Sequence, residues 1–342
     1  MEKEEALVAP QLSTLVFGDA TIRLSTPPLW EQRWPWACTI YASSADTIMT
    51  GTALHAKLWK IAEEELGETE ELRQRALDDL TKLLHDEPGL KWNNQSAFLL
   101  RFLRVRKYNV EAALKSIKKY YRTGSSWGKN NLDLRPSTVV PDCREITAVL
   151  PHRDAQGRQI LLIRSGVWNP AVVPQIDVHR AFLLCLKHLE RSPSGQTAGI
   201  VIIIDYEGFG IEHAINCKLS LMKELTDFAQ ESMPLRLRAV HVIRESRGFD
   251  FCFALVRPFL KSKIIQRIHF HGYKIEGLYE HVPATILPEA YGGLVSDTVF
   301  QKFWLQLDAD EHFFAEESAY GYKNIDTGDA PSELTSTIVT HL

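Results

Sequence analysis

From Ala53 onward apolar residues recur at helical spacing. Leu54, Leu58, Ile61 and Ala62 form one stripe, and Leu72, Ala76, Leu80, Leu83 and Leu84 form another. Steps of three and four place side chains on one face, so the pattern predicts two amphipathic helices. Gly67 punctuates them, with Thr69 as the expected N-cap of the second. A third helix is predicted over Ser96 to Arg106, with Leu99, Phe102 and Leu103 on its buried side. A fourth runs from the N-cap Asn109 through Val110, Leu114, Ile117 and Tyr121, ending near Gly124. Together they predict a small helical lobe over 53–124.

The period then changes. Ile146 to Leu150 and Gln159 to Arg164 flank the turn Asp154-Ala155-Gln156-Gly157, which predicts a strand pair. Asp177 to Glu190 aligns Val178, Phe182 and Leu186 as a helix. AGIVIIID (Ala198 to Asp205) is a continuous apolar run, the mark of a strand buried on both faces. A helix over Ile215 to Gln230, a strand over Pro234 to Ile243, a short strand at Ile268 to Phe270 and a helix near Lys274 to His281 follow. Strands alternating with helices predict an α/β fold with a mostly parallel sheet over 140–295. Val299, Phe300, Phe303, Trp304 and Leu307 predict a C-terminal helix over 296–314, with a loose tail over 315–342.

One stretch departs from ordinary core patterning. Arg236 and Arg238 are two apart in the Pro234 to Ile243 strand, so both project from one side. Phe249 to Val256 is almost wholly apolar, and Arg257, Lys261, Lys263 and Arg267 follow with no acid between Phe251 and Ile275. On a helix Lys263 and Arg267 share a face. An apolar flap beside clustered cations suits an anionic membrane surface. The competing reading of the cations is a solvated basic face.

Composition narrows the field. The chain has 342 residues, 45% hydrophobic and 24% charged, as in ordinary globular proteins. Its net charge of -4 argues against bulk nucleic-acid binding. Five scattered cysteines without a Cys-x-x-Cys pair suit reduced thiols rather than a disulfide framework. The acidic start MEKEE does not resemble a secretory signal, and no apolar run is long enough to span a bilayer. A cytoplasmic protein with peripheral membrane contact is therefore expected. Residues 1–50 show no sustained period; they read as a disordered extension, or as sequence preceding a natural start at Met49.

Catalytic motifs are weak. Gly124-Ser125-Ser126-Trp127-Gly128 matches the esterase pentapeptide but lacks the strand-to-helix elbow that exposes the serine. Asp205 ends a buried strand, where a carboxylate can be catalytic or simply satisfied by neighbouring groups. His269 and His271 alternate on a strand but lack a nearby Cys or Asp partner in sequence. Neither an enzyme nor a metal or other cofactor is expected.

Five blocks carry a resemblance. FLLRFLRVRKYNVEAA (Phe98 to Ala113), IIIDYEGFG (Ile202 to Gly210), MPLRLRAVHVI (Met233 to Ile243), RPFLKSKIIQRIHFHG (Arg257 to Gly272) and ILPEAYGG (Ile286 to Gly293) occur in this order. They resemble the CRAL-TRIO family, in the branch of alpha-tocopherol transfer protein, cellular retinaldehyde-binding protein and the clavesins. The resemblance implies a helical lobe and an α/β domain whose sheet floors a hydrophobic cavity, closed by a mobile gate helix at about Phe249 to Val256. It also implies a cleft for phosphatidylinositol bisphosphate head groups, falling on Arg236, Arg238, Lys263 and Arg267, all basic here. Relatives often carry Asn-x-Pro before the gate; this chain has Arg244-Glu245-Ser246, which leaves the approach to the gate less constrained.

The expected cavity residues are Phe182 and Leu186 on the helix before the buried strand, Ile203 in that strand, and Phe228. Phe249, Phe253 and Val256 on the flap complete the set. The function expected is intracellular lipid transfer: a monomer holding a tocopherol, retinoid or phospholipid-like molecule and docking on endosomal or other phosphoinositide-bearing membranes. The alternative is a phosphoinositide-binding trafficking adaptor without functional cargo.

Overall fold

The apolar run predicted as a doubly buried strand sits in the middle of a five-stranded sheet. In chain and spatial order the strands are β1 (Thr147–Val149), β2 (Gln159–Arg164), β3 (Ile200–Asp205), β4 (Leu237–Ile243) and β5 (Ile268–Phe270). β1 is antiparallel to β2, and the other pairings are parallel. The computed structural model describes residues 51–129 and 133–322, with backbone alone at 14–17, 20–23 and a few flanking positions. Among residues 1–50 it describes one antiparallel hairpin, Thr14–Phe17 with Ala20–Arg23. Trp30, Trp34, Trp36, Cys38, Met49 and most of the expected extension lie outside the described residues, as does the tail beyond 322.

Strand register sorts the sheet into two faces, because alternate residues point to opposite sides. Thr147, Ile163, Ile204, Val242 and Phe270 form one row, and Val149, Leu161, Ile202, Val240 and Ile268 a second on the same face. Ala148, Leu162, Ile203, His241 and His269 form the row on the other face.

The helical lobe comprises α1 (Gly51–Leu66), α2 (Glu70–His85), α3 (Ser96–Val105) and α4 (Val110–Lys129). Thr69 caps α2 by accepting from Leu72 N at 3.1 Å, and Asn109 Oδ1 accepts from Ala112 N at 2.8 Å at the start of α4. α4 does not end near Gly124; it continues as helix to Lys129. Two buried arginines of the lobe reach the sheet domain, one by a hydrogen bond and one by an ion pair. Arg104 meets Glu68 at 2.8 Å and Gln196 Oε1 at 2.7 Å, and Arg101 meets Glu190 at 3.2 Å. Tyr120 Oη donates to the same Glu190 at 2.7 Å. Removing one partner of such a pair leaves a buried charge and costs about 3–5 kcal/mol.

The longer helices of the crossovers are α5 (Gln175–Glu190), α6 (Ile211–Asn216), α7 (Leu219–Glu231) and α8 (Arg247–Val256). The single helix expected over Ile215 to Gln230 is thus two, broken at Cys217 and Lys218. α9 (Val299–Ala309) packs on β1, with Trp304 Nε1 donating to Thr147 O at 3.0 Å. α10 (Glu311–Glu317) follows, and Gly321–Tyr322 pairs with Leu90–Lys91. Tyr322 Oη donates to Glu87 at 2.7 Å, so the chain expected to be loose from 315 is fixed as far as 322. Among the described residues no helix is long and apolar enough to cross a membrane.

Candidate functional site

α8 roofs one face of the sheet. Ser246 caps its first turn, accepting from Phe249 N at 3.3 Å while its hydroxyl donates to Phe209 O. Gly248 lies so close to Gly210 that a Cβ there would stand 2.6 Å from the Gly210 carbonyl oxygen. Arg244, two residues before the cap, takes a left-handed φ of 54° and pairs with Glu207 and, at 3.6 Å, with Asp205. The approach to α8 is therefore pinned by a serine cap and an arginine rather than by proline.

Beneath the roof, Phe249 and Phe253 stack at 5.4 Å between ring centroids, and Phe253 meets Phe270 at 5.4 Å. Val240, Val242 and Phe249 form a small buried cluster, against which Ile202, Ile204, Tyr206 and Ile268 pack. Ile202 and Ile204 are only half-buried although they belong to the central strand, whereas Leu162 and Ile203 on the opposite face are fully buried. Tight packing under a helix leaves no such exposure. Packing between this face and α8 is therefore less complete than packing on the opposite face.

This geometry revises the expected lining. Ile203 points away from α8, because the pleat gives that face to Ile202 and Ile204. Phe228 is buried against Tyr120 of α4, at 5.9 Å between centroids, at the junction with the helical lobe. Phe182 and Leu186 lie on α5, whose Cys185 Sγ meets Thr147 Oγ1 at 3.6 Å. Thr147 shares its row with Ile204, so α5 covers the same face as α8. Val256 is half-buried at the end of α8.

A basic rim lies at the leading ends of β3, β4 and β5. Arg236 and Arg238 both pair with Glu65 Oε2, at 2.6 Å and 2.7 Å. Arg236 also donates to Thr197 O, Arg238 Nε to Ala198 O at 2.7 Å, and Arg267 Nη1 to Leu237 O. Burial, and then the charge of Arg238, hold the guanidinium groups of Arg236 and Arg267 below the usual arginine value. Burial alone would raise the Glu65 carboxyl, but Arg238 and Arg236 together hold it below the usual carboxylate range. The three arginines thus feel one another. β4 begins at Leu237, so Arg236 precedes the strand, and the register shifts at Arg238, between Ile200 and Val201; both arginines nonetheless reach one Glu65 oxygen.

Lys263 stands apart. The helix expected to align it with Arg267 is a single turn, Ser262–Ile265, and Arg267 lies beyond it. Lys263 is exposed and has no ion-pair partner among the described residues. Sequence reading missed Glu65, whose periodic helix gives no hint of its pairing, and Gly199. With φ at 98° and its missing Cβ 2.3 Å from Arg236 O, Gly199 permits the two arginines to pack there. An isolated glycine opening a strand pattern was the available signal.

The remaining candidates fall away from chemistry. Ser126 lies within helix α4, not on a strand-to-helix elbow. Asp205 is buried and satisfied, accepting from Tyr291 Oη at 2.9 Å and Glu207 N at 2.9 Å. His269 and His271 join His241 and His281, with His241 Nδ1 to His271 Nε2 at 2.9 Å. Among the described residues no group of His, Cys, Asp or Glu has metal-holding geometry.

Comparison with known proteins agrees with this architecture. Residues 144–293 match the CRAL/TRIO domain. Alpha-tocopherol transfer protein-like of Mus musculus is 36% identical over 258 residues, 75% of this chain and 75% of its own. Its Homo sapiens counterpart is 35% identical over the same shares. Clavesin-1 of Rattus norvegicus is 28% identical over 237 residues, 67% of this chain and 66% of its own. With such identity across three quarters of both chains, this chain belongs to the CRAL-TRIO family of lipid-binding and lipid-transfer proteins.

Proposed function

We propose that this protein is a non-enzymatic lipid carrier that holds one hydrophobic molecule between the sheet and α8. It exchanges that molecule at phosphoinositide-bearing membranes. The observation that carries the reading is the half-buried pair Ile202 and Ile204 in the central strand, on the sheet face roofed by the aromatic side chains of α8. An apolar cargo in that space gains about 0.8 kcal/mol for each CH₂ removed from water, so a long isoprenoid or acyl chain is held without covalent chemistry.

Two surfaces support membrane docking. Phe251 on α8 is 51% exposed and Ile215 on the adjacent α6 is 72% exposed, with Leu255 and Ile211 also exposed on these elements and Leu219 at the start of α7. An apolar patch of this kind normally meets a partner surface. The second is the basic rim, in which Arg236, Arg238 and Arg267 converge and Lys263 stands free on the turn before Arg267. Guanidinium forks suit multiply charged phosphate groups. The chain runs from the end of α8 through Lys261 and the Ser262–Ile265 turn to Arg267, so a head group drawn into the rim pulls on the segment that follows the gate.

The test has two arms. Organic extraction of the purified protein followed by mass spectrometry is expected to yield one recurrent lipid near one per chain; a lipid-free extract defeats the carrier. Co-sedimentation with vesicles, with and without phosphatidylinositol bisphosphate, is expected to pellet the wild type only with the phosphoinositide. Lys263→Ala/Arg267→Ala should remain in solution. Equal pelleting of both proteins would remove the docking mechanism.

A further inference from the structure

α8 is held in different ways at its two ends. At its start Ser246 Oγ donates to Phe209 O, Arg244 pairs with Glu207, and Gly248 rests against the Gly210 carbonyl. After its last turn the chain passes through the short turn Arg257–Phe259, and there a side chain of α7 takes hold of it. Gln230 donates from Nε2 to Phe259 O at 3.0 Å and accepts at Oε1 from Lys261 N at 2.8 Å. A primary amide has a donor side and an acceptor side, so these two partners fix its orientation. Gln230 therefore bridges the backbone on either side of Leu260, as a neighbouring strand would.

The support behind Gln230 is itself fixed. Arg106, just after α3, donates from Nη2 to Glu231 O at 2.7 Å and from Nε to Ser116 Oγ of α4 at 2.7 Å. The Glu231 carboxylate pairs with Lys261 and, at 4.0 Å, with Lys119 of α4. Lys223 of α7 lies 5.7 Å over the Phe259 ring. Polar contacts thus run from the helical lobe through the end of α7 to the segment after α8. The last link is a half-buried amide beside an exposed ion pair. Each such bond shifts an equilibrium by roughly a factor of three to ten, so the link is firm enough to hold and weak enough to release.

We propose that Gln230 is the latch of α8: the helix pivots about its Ser246 end and opens from its Val256 end when the amide lets go of Phe259 and Lys261. Gln230 is a positioning residue, acting on cargo through α8. Lys261 opens the basic stretch that continues through Lys263 to Arg267. A phosphate head group that draws the Lys261 ammonium from Glu231 therefore pulls on the residue the latch holds. The latch stands on the Gln230 geometry; its release by a head group, and the exchange of cargo that follows, rest on the carrier reading.

Hydrogen–deuterium exchange on the full chain tests this. Gln230→Met keeps the length of the side chain and removes both bonds. It is expected to speed exchange at the Lys261 amide and in the last turn of α8, Phe253 to Val256, by about tenfold. The amides of Phe249 and Asp250, bonded to Ser246, should keep their wild-type rates, as should those of β3. Gln230→Glu keeps the acceptor for Lys261 N and loses the donor. Should the methionine variant misfold, the glutamate variant is expected to loosen the last turn of α8 by about threefold, the share of one bond. Soluble inositol trisphosphate added to the wild type is expected to give the same rise, confined to the same end. The proposal is overturned if Lys261 and α8 keep their wild-type rates in the variants. It is equally overturned if α8 loosens evenly along its length or first from Ser246. Inositol trisphosphate that leaves wild-type α8 unchanged, while the methionine variant is loosened, sinks the head-group mechanism and leaves the latch standing.

Discussion

Glu65 Oε2 lies 2.7 Å from Arg238 Nη2, and the same oxygen accepts from Arg236 at 2.6 Å. One carboxylate from the helical lobe thus occupies two of the cations that the carrier reading assigns to a phosphate head group. A multiply charged head group must displace it or share the arginines with it. Glu65 is itself partly exposed, so the contact is a modest one.

Neutralising that carboxylate should therefore tighten head-group binding. Glu65→Gln is expected to lower the Kd for soluble inositol trisphosphate by about threefold to tenfold, the scale of a surface ion pair of about 1 kcal/mol. Titration calorimetry of wild type and variant reads this directly. An unchanged Kd would place the head group away from Arg236 and Arg238.

Gly199 should be intolerant for a backbone reason. Its φ of 98° is a conformation that side-chain-bearing residues rarely adopt, and an added Cβ would meet Arg236 O at 2.3 Å. Gly199→Ala is expected to cost about 2–4 kcal/mol, visible as a lower urea midpoint, and to weaken vesicle binding in whatever fraction folds. A variant with wild-type stability and binding would show that the rim does not depend on this close approach.

The pleat makes opposite demands on two adjacent isoleucines. Ile203→Ala removes a fully buried side chain from the far face and should destabilise by about 2–5 kcal/mol. Ile204→Trp adds bulk at a half-buried position on the face beneath α8, where the carrier reading places the cargo. It should displace extracted lipid by tenfold or more while the urea midpoint shifts little. Should Ile203→Ala, but not Ile204→Trp, empty a still-folded protein, the cargo lies elsewhere.

Much of this was legible in the chain, for reasons that also mark where legibility stopped. Continuous apolar runs announced β3 and α8, and Thr69 and Asn109 announced helix starts. A run such as Ile202-Ile203-Ile204 cannot say which residue faces a helix, because every position is apolar; only register with Leu162 and His241 decides it. The basic residues were visible, but their partner Glu65 is 171 positions from Arg236. Lys263 and Arg267 were placed on one helix face by spacing, yet the helix ends after one turn.

Acid should loosen the fold before carboxylates begin to titrate. His241 is buried, and burial followed by the charges of His271, His281, His269 and Arg158 lowers it from 6.5 to about 3. Burial lowers His179 to about 4. Both are neutral in the folded chain between pH 6.5 and 5, whereas in the unfolded chain each takes up a proton near pH 6.5. The unfolded state therefore binds more protons in this window, and stability falls as pH falls through it. Buried Glu190 works in the opposite direction: burial raises its carboxyl above 4.5, so it offsets part of the histidines' loss as pH falls toward that value. Urea midpoints measured from pH 7 to 5 are expected to drop by an amount equivalent to about 1–2 kcal/mol per histidine. His241→Gln should flatten that slope by about one histidine's share. If the variant and the wild type lose stability in parallel over this range, the imidazole cluster between β4 and β5 is already protonated in the folded state.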